Sequence, residues 1–246
     1  MFDGQYKNIV WINDVPWADS GMAIQSKHIV EHLISLGHKV HYFAWYVGQA
    51  KQHTSYRLQN VDIDVYFLGQ QSFGNSQDIT ELLVSIQPDV IVSFGDMHMV
   101  EGLTQLDACW KAKWIHWWTV DNNQPTAKEF NIAHHIGQLV ALTQFGANVI
   151  HRELDTIVPV IGHTYQVPYG IGNKNTAKQR LGIPGNAIVY GCIARNFWRK
   201  NLHVLINAFA HAFAFDTSAV LLLHVDTLVA TNEGCNISEM VNKLQL

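Results

Sequence analysis

The sequence predicts an α/β protein of two consecutive domains, each a parallel sheet flanked by helices, and three observations predict it. Short apolar runs alternate with helix-period segments from residue 8 onward, which is the spacing of βαβ units. The alternation breaks at a turn-rich segment, VPYGIGNKN at 167–175, and then restarts. A chain of 246 residues with 48% apolar content can fill one large or two modest cores.

In the first domain, residues 1–165, NIVWI at 8–12 is the first strand. A helix follows over about 22–35, where Met22, Ile29, Leu33 and Leu36 form an apolar face. That face turns His28 and Glu31 to solvent and His32 to the flank. HIVEH at 28–32, an inverted zinc-motif spacing, therefore reads as a solvated helix face. KVHYFAWY at 39–46 and VDIDVYFLG at 61–69 are the next strands, and a helix runs over about 78–86. DVIVSFG at 89–95, WIHWWTV at 114–120 and QLVALT at 138–143 complete the sheet. Alternation along WIHWWTV sends Trp114, His116 and Trp118 to one face and Ile115, Trp117 and Thr119 to the other, as in a strand buried on both sides.

The second domain, residues 166–246, holds the strand AIVYGCIA at 187–194, an amphipathic helix over 201–213 with Asn201 as its N-cap, and the strand AVLLLHV at 219–225. Two strands are few for a sheet, so this domain reads as incomplete, with an exposed edge strand and apolar surface.

Sixteen basic against twenty acidic residues, a net charge of −4, argue against a nucleic-acid surface. Three widely spaced cysteines, Cys109, Cys192 and Cys235, form no CxxC pair and read as reduced thiols of a cytoplasmic protein. No signal peptide opens the sequence, and its apolar stretches are too short to span a bilayer.

Ligands of parallel sheets bind at the carboxyl ends of the strands. The loops at 13–21, 95–98 and 119–125 therefore carry the candidates of the first domain. Ser20 caps the first helix, and Gly21 opens it, where a ligand could approach the backbone. Asp121 lies past the end of its strand, in the ligand crevice, and Asp96 ends the preceding strand. His116 is mid-strand, where a hydrogen-bonded core histidine is the ordinary reading. In the second domain Arg195, Arg199 and Lys200 crowd the loop before the helix at 201. Cations are disfavoured at a helix N-terminus, so their presence there points to an anionic ligand such as a phosphate or diphosphate. GIGNKN at 170–175 only begins like a dinucleotide fingerprint, and NDVPWADSG lacks G-x-G-x-x-G, which weighs against a nicotinamide-dependent oxidoreductase.

VPYGIG, KQRLGIP, AIVYGCIARNFWRKNLHVLINAFA, LLLHVD and ISEMVNKLQL together resemble the carboxyl-terminal domain of family 4 retaining glycosyltransferases. SGMAIQSKHIVEHLISLGHKVHYF is similar to that family's first helix and second strand. The resemblance implies the GT-B fold, two Rossmann-like domains with acceptor on the first and nucleotide-sugar donor on the second. It implies transfer of a sugar to an acceptor hydroxyl, on a glycan, a lipid or another molecule, with retained configuration. No cofactor or metal is implied, since the nucleotide-sugar is itself the substrate, and lipid acceptors would bring peripheral membrane contact. Arg195 and Lys200 match the family's diphosphate-binding pair, with Gly21 facing them. Asp121, with Arg195 and Lys200, is placed in the catalytic set; Asp96, His116 and Asp121 are placed on the acceptor side. The family continues through an E-x7-E segment that this chain ends before, so a truncated transferase or a non-catalytic nucleotide-binding remnant are both expected forms.

Overall fold

The computed structural model describes residues 7–45, 53–58, 61–68, 76–164, 172–226 and 234–244. The chain divides into two compact units, Met1–Gln166 and Val167–Leu246. The point of division, with the turn-rich residues 167–171, lies outside the described residues.

Among the described residues, the first unit holds a seven-stranded sheet in the order β3-β4-β2-β1-β5-β6-β7. The strands are β1 Asn8–Asp14, β2 Lys39–Trp45, β3 His53–Leu58, β4 Val61–Phe67, β5 Val90–Gly95, β6 Trp114–Trp118 and β7 Gln138–Ala141, and the helices are α1 Gly21–Ser35, α2 Ser76–Ile86, α3 Ala108–Ala112, α4 Ala127–Ala133 and α5 Gln144–Leu154, with α6 Lys174–Arg180 the first helix of the second unit. All neighbours run parallel except β3 and β4, which form an antiparallel hairpin with Leu58 opposite Val61. β3 has no counterpart in the sequence reading, because HTSYRL is polar on its outer face and lies at the sheet edge. Thr54, Tyr56 and Leu58 turn inward, and Tyr56 meets the Trp17 ring at 5.4 Å.

Alternation divides the core in two. Val10, Ile12, Phe43, Trp114 and Trp118 fill one face, and Trp11, Tyr42, Val65, Phe94 and Trp117 fill the other. Helix α1, Gly21–Ser35, crosses the second face. Ser20 caps it by accepting from the Ala23 N–H at 3.1 Å and donating to Asp14 at 2.7 Å. Met22, Ile29 and Leu33 pack against this face as the sequence reading has it. Ala23, Gln25, Ser26 and Val30 are buried more deeply, Leu36 is exposed, and His28 and Glu31 are half-buried rather than turned to solvent. Desolvation there raises the Glu31 carboxyl above its ordinary pKa, and the His28 Nδ1 is buried without a partner.

Gln25 is buried because its amide acts as a short piece of strand for the segment at 160–164. Its Nε2 donates to the Thr164 carbonyl at 2.7 Å, and its Oε1 accepts from the Thr164 N–H at 2.8 Å. Trp117 Nε1 holds the same segment by donating to the Ile161 carbonyl at 2.9 Å. Gln25→Ala removes these two bonds and a third from the Thr164 hydroxyl, and is expected to destabilise this unit by about 2 kcal/mol, read as a lower urea midpoint.

The second unit pairs β8, Ile188–Ala194, in parallel with β9, Ala219–Val225. Helices α7, Leu202–Ala212, and α8, Ile237–Leu244, cover one face through Leu202, Ile206, Cys235 and Ile237. On the other face Ile193 is 84% exposed, the apolar surface expected of so short a sheet. Asn201 corrects another expectation. It precedes α7, but its side chain makes no cap bond, and its backbone is left-handed at φ 52°. Asn201→Gly is expected to be neutral or slightly stabilising, and Asn201→Ala to cost about 1 kcal/mol in thermal unfolding, because alanine resists that conformation.

Candidate functional site

At the carboxyl edge of the first unit, β5 and β6 end side by side. Gly95 closes β5 with φ 142°, a conformation that suits glycine, and the 3-10 helix Met97–Gln105 begins two residues later. A Cβ on Gly95 would sit 2.9 Å from Met99 Sδ. Gly95→Ala is therefore expected to cost about 2 kcal/mol of stability and to displace Asp96. Thr119 fixes Asp96 from the next strand: its hydroxyl donates to the Asp96 carboxylate, and its N–H donates to the Gly95 carbonyl at 3.1 Å.

Asp96 and Asp121 line one cleft of 210 Å³ with His98, Thr119, Asn122 and Glu129. Residues 121–125 hold their shape through an Asn122 side chain that accepts from the Gln124 N–H at 2.9 Å, and through Arg152, which donates to the Asn123 carbonyl. Helix α4, Ala127–Ala133, then starts at a capping box in which Glu129 accepts from the Thr126 N–H at 2.7 Å. His98, Thr119, Asn122 and Glu129 were not picked out from the sequence. The Thr126-x-x-Glu129 pattern was the one available signal for a helix start facing the cleft.

His116 does not join them. It is fully buried in mid-β6, beside Trp114 at 6.5 Å between ring centres. Trp114 Nε1 donates to the Ser93 hydroxyl at 2.7 Å, and the same hydroxyl is hydrogen-bonded to His116 Nδ1 at 2.8 Å. The His116 Nε2 is buried without a partner. Burial lowers the His116 pKa to about 3. Its acceptor-side assignment is therefore corrected: a ring sealed at this depth touches no ligand. Gly21 opens α1 at the same sheet edge, and a Cβ there would meet nothing within 4 Å. The packing of the unit does not itself demand glycine at this position.

In the second unit, the loop after β8 carries the cations. Arg195 is exposed, with its guanidinium 4.8 Å from the Phe197 ring centre. Arg199 and Lys200 are exposed on the 3-10 helix Trp198–Lys200. Among the described residues none of the three forms an ion pair with a carboxylate. The first turn of α7 has neither an acidic residue nor a side-chain cap. Positive charge thus accumulates with no carboxylate to offset it among the described residues. Asn196 ties this loop to the start of α8 by donating to the Cys235 carbonyl at 2.8 Å and accepting from its N–H at 3.1 Å. Beside that tie lies a 420 Å³ cavity lined by Trp198, His203, Asn236, Glu239 and Lys243.

No protein-family model matches the chain, and no curated protein sequence does. Solved structures match over most of it. The E. coli trehalose-6-phosphate protein bound with UDP-2-fluoro glucose has a TM-score of 0.59 at 10% identity, over 97% of this chain and 68% of its own. Alpha,alpha-trehalose 6-phosphate synthase from Burkholderia multivorans gives 0.54 at 12% identity, over 98% and 69%. UDP-GlcNAc 2-epimerase from Methanocaldococcus jannaschii, in complex with UDP-GlcNAc and UDP, gives 0.53 at 14% identity, over 96% and 68%. The chain spans about two thirds of the length of each. At such identities the likeness is one of fold, the α/β class read from the sequence.

Proposed function

We propose that this chain belongs to a nucleotide-sugar transferase of the family 4, GT-B type, which moves a sugar to an acceptor hydroxyl with retained configuration. The observation that carries the reading is the set of unpaired cations at the uncapped start of α7. Arg195 and Lys200 bind the donor diphosphate there, and their charge stabilises the nucleoside diphosphate as it leaves the breaking glycosidic bond. Fixed cations perform this role without a divalent metal. Gly21 leaves room for the diphosphate to approach the first N–H groups of α1. Asp121 and Asp96 accept hydrogen bonds from hydroxyls of the sugar or the acceptor in their shared cleft. The bound UDP-2-fluoro glucose and UDP-GlcNAc of the structural neighbours support a donor of this chemical class.

The acceptor is a glycan, a lipid or another hydroxyl compound. Among the described residues no helix is long and apolar enough to cross a membrane, so a lipid acceptor would be met at the membrane surface. The three cysteines are free thiols, which supports a cytoplasmic setting.

Incubation with radiolabelled UDP- and GDP-sugars tests the reading. The expected result is release of nucleoside diphosphate with sugar passed to water or acceptor, unchanged by EDTA, and an NMR-assigned product of retained configuration. Tight nucleotide binding without turnover would leave the chain a non-catalytic binder. Binding of NAD in place of either nucleotide would replace the proposal with an oxidoreductase.

A further inference from the structure

The cavity beside the cations has a composition that the diphosphate does not explain. Trp198 forms one wall, half exposed, between Arg195 and Lys200 in sequence. Its ring meets the His203 ring edge-on at 5.3 Å, which fixes its plane at the start of α7. Glu239 and Lys243, one turn apart on α8, line the same cavity. Glu239 is already oriented, since Asn236 donates to its Oε2 at 3.3 Å and accepts from its N–H at 3.0 Å. No ion pair within 4 Å joins Glu239 to Lys243 among the described residues. One cavity is thus lined by an aromatic ring, a carboxylate acceptor and an ammonium donor, on the loop that carries the cations.

We infer that this cavity seats the base of the donor nucleotide, stacked on Trp198 with Glu239 and Lys243 reading its edge, and that the base is guanine. The inference rests on the sugar-transfer reading above. Guanine presents two adjacent N–H donors beside a carbonyl acceptor, which match a carboxylate beside an ammonium. Uracil presents one N–H between two carbonyl oxygens, one of which would face the Glu239 carboxylate unfavourably. Adenine has no ring N–H on that edge. Stacking supplies affinity for any base, and the polar pair supplies the choice.

Calorimetry on the whole chain with GDP, UDP and ADP tests this. GDP should bind at least about tenfold more tightly than UDP or ADP, the discrimination one two-point contact gives. Glu239→Gln should erase that preference, and Trp198→Ala should weaken GDP and UDP alike by about tenfold, with Trp198→Phe restoring most of it. Unchanged thermal midpoints show that the variants fold. UDP binding as tight as GDP, or a preference that survives Glu239→Gln, overturns the base assignment, and the sugar-transfer reading then stands if Arg195→Ala still weakens nucleotide. Absence of binding by all three at millimolar concentration overturns both.

Discussion

Replacing Arg195 and Lys200 together by alanine is expected to weaken nucleoside diphosphate binding by about a hundredfold and to abolish sugar transfer. Two charge-assisted contacts to a diphosphate contribute about 3 kcal/mol between them once solvent screening of exposed side chains is allowed for. Calorimetry at fixed ionic strength measures it. The double variant should at the same time be slightly more stable than the parent, by a few tenths of a kcal/mol, because the cations oppose the dipole of α7 in the absence of ligand. Loss of affinity with a gain in stability is what a binding role requires. A structural role would make both fall. Arg199→Ala should leave affinity within about threefold, since Arg199 lies outside the matched pair. Retained affinity in the Arg195→Ala, Lys200→Ala double variant would sink the diphosphate assignment.

The first unit is expected to lose stability between pH 6.5 and 5, above the range in which carboxylates titrate. His116 has a folded pKa of about 3, held down by burial, against about 6.5 in the unfolded chain. The unfolded state therefore binds the extra proton first. The stability contributed by the neutral ring is complete above pH 6.5 and falls as pH drops toward 3, by about 1.4 kcal/mol per unit. His41 adds to the slope in the same direction: it is buried, both ring nitrogens lack partners, and desolvation and then Lys39 lower its pKa, with Asp64 opposing them. The faces packed on it also bring Tyr66, 6.0 Å away between ring centres, and beyond it His53. A domain holds roughly 5–15 kcal/mol in total, so the loss of about 2 kcal/mol that His116 alone brings by pH 5 is a sizeable share of it. Urea midpoints measured across the interval give the slope, and His116→Gln should reduce it by about one proton. A flat profile from pH 7 to 5, or an undiminished slope in the variant, would show that the ring is not held neutral.

Much of the first unit was legible in the sequence because apolar alternation and strand burial have the same cause. Trp114, Trp117 and Trp118 occupy the faces their spacing predicts, and β1, β2, β4, β5 and β9 match their runs within a few residues. Asp96 and Asp121 share a cleft because both follow the carboxyl ends of adjacent parallel strands. β3 was missed because an edge strand has little apolar surface to bury, so its sequence carries a weak signal. Met22, Ile29 and Leu33 face the core as their spacing predicts, whereas the burial of Gln25 was not legible, because its partner Thr164 is 139 residues away.

The sequence by itself determined every strand but β3, the helices α1, α2 and α7, the loops that reach the ligand edge, and the placement of three cations before α7. Those features depend on neighbours close along the chain and on a periodicity that the chain carries within itself. Only the tertiary structure decided that His116 is sealed while Asp96 and Asp121 share a cleft. Only there does Asn201 leave α7 uncapped, and only there do Trp198, Glu239 and Lys243 line one cavity. The physical reason is that burial, charge pairing and hydrogen-bond partners are set by groups far apart in sequence, and a short-range pattern holds no record of which distant group will arrive.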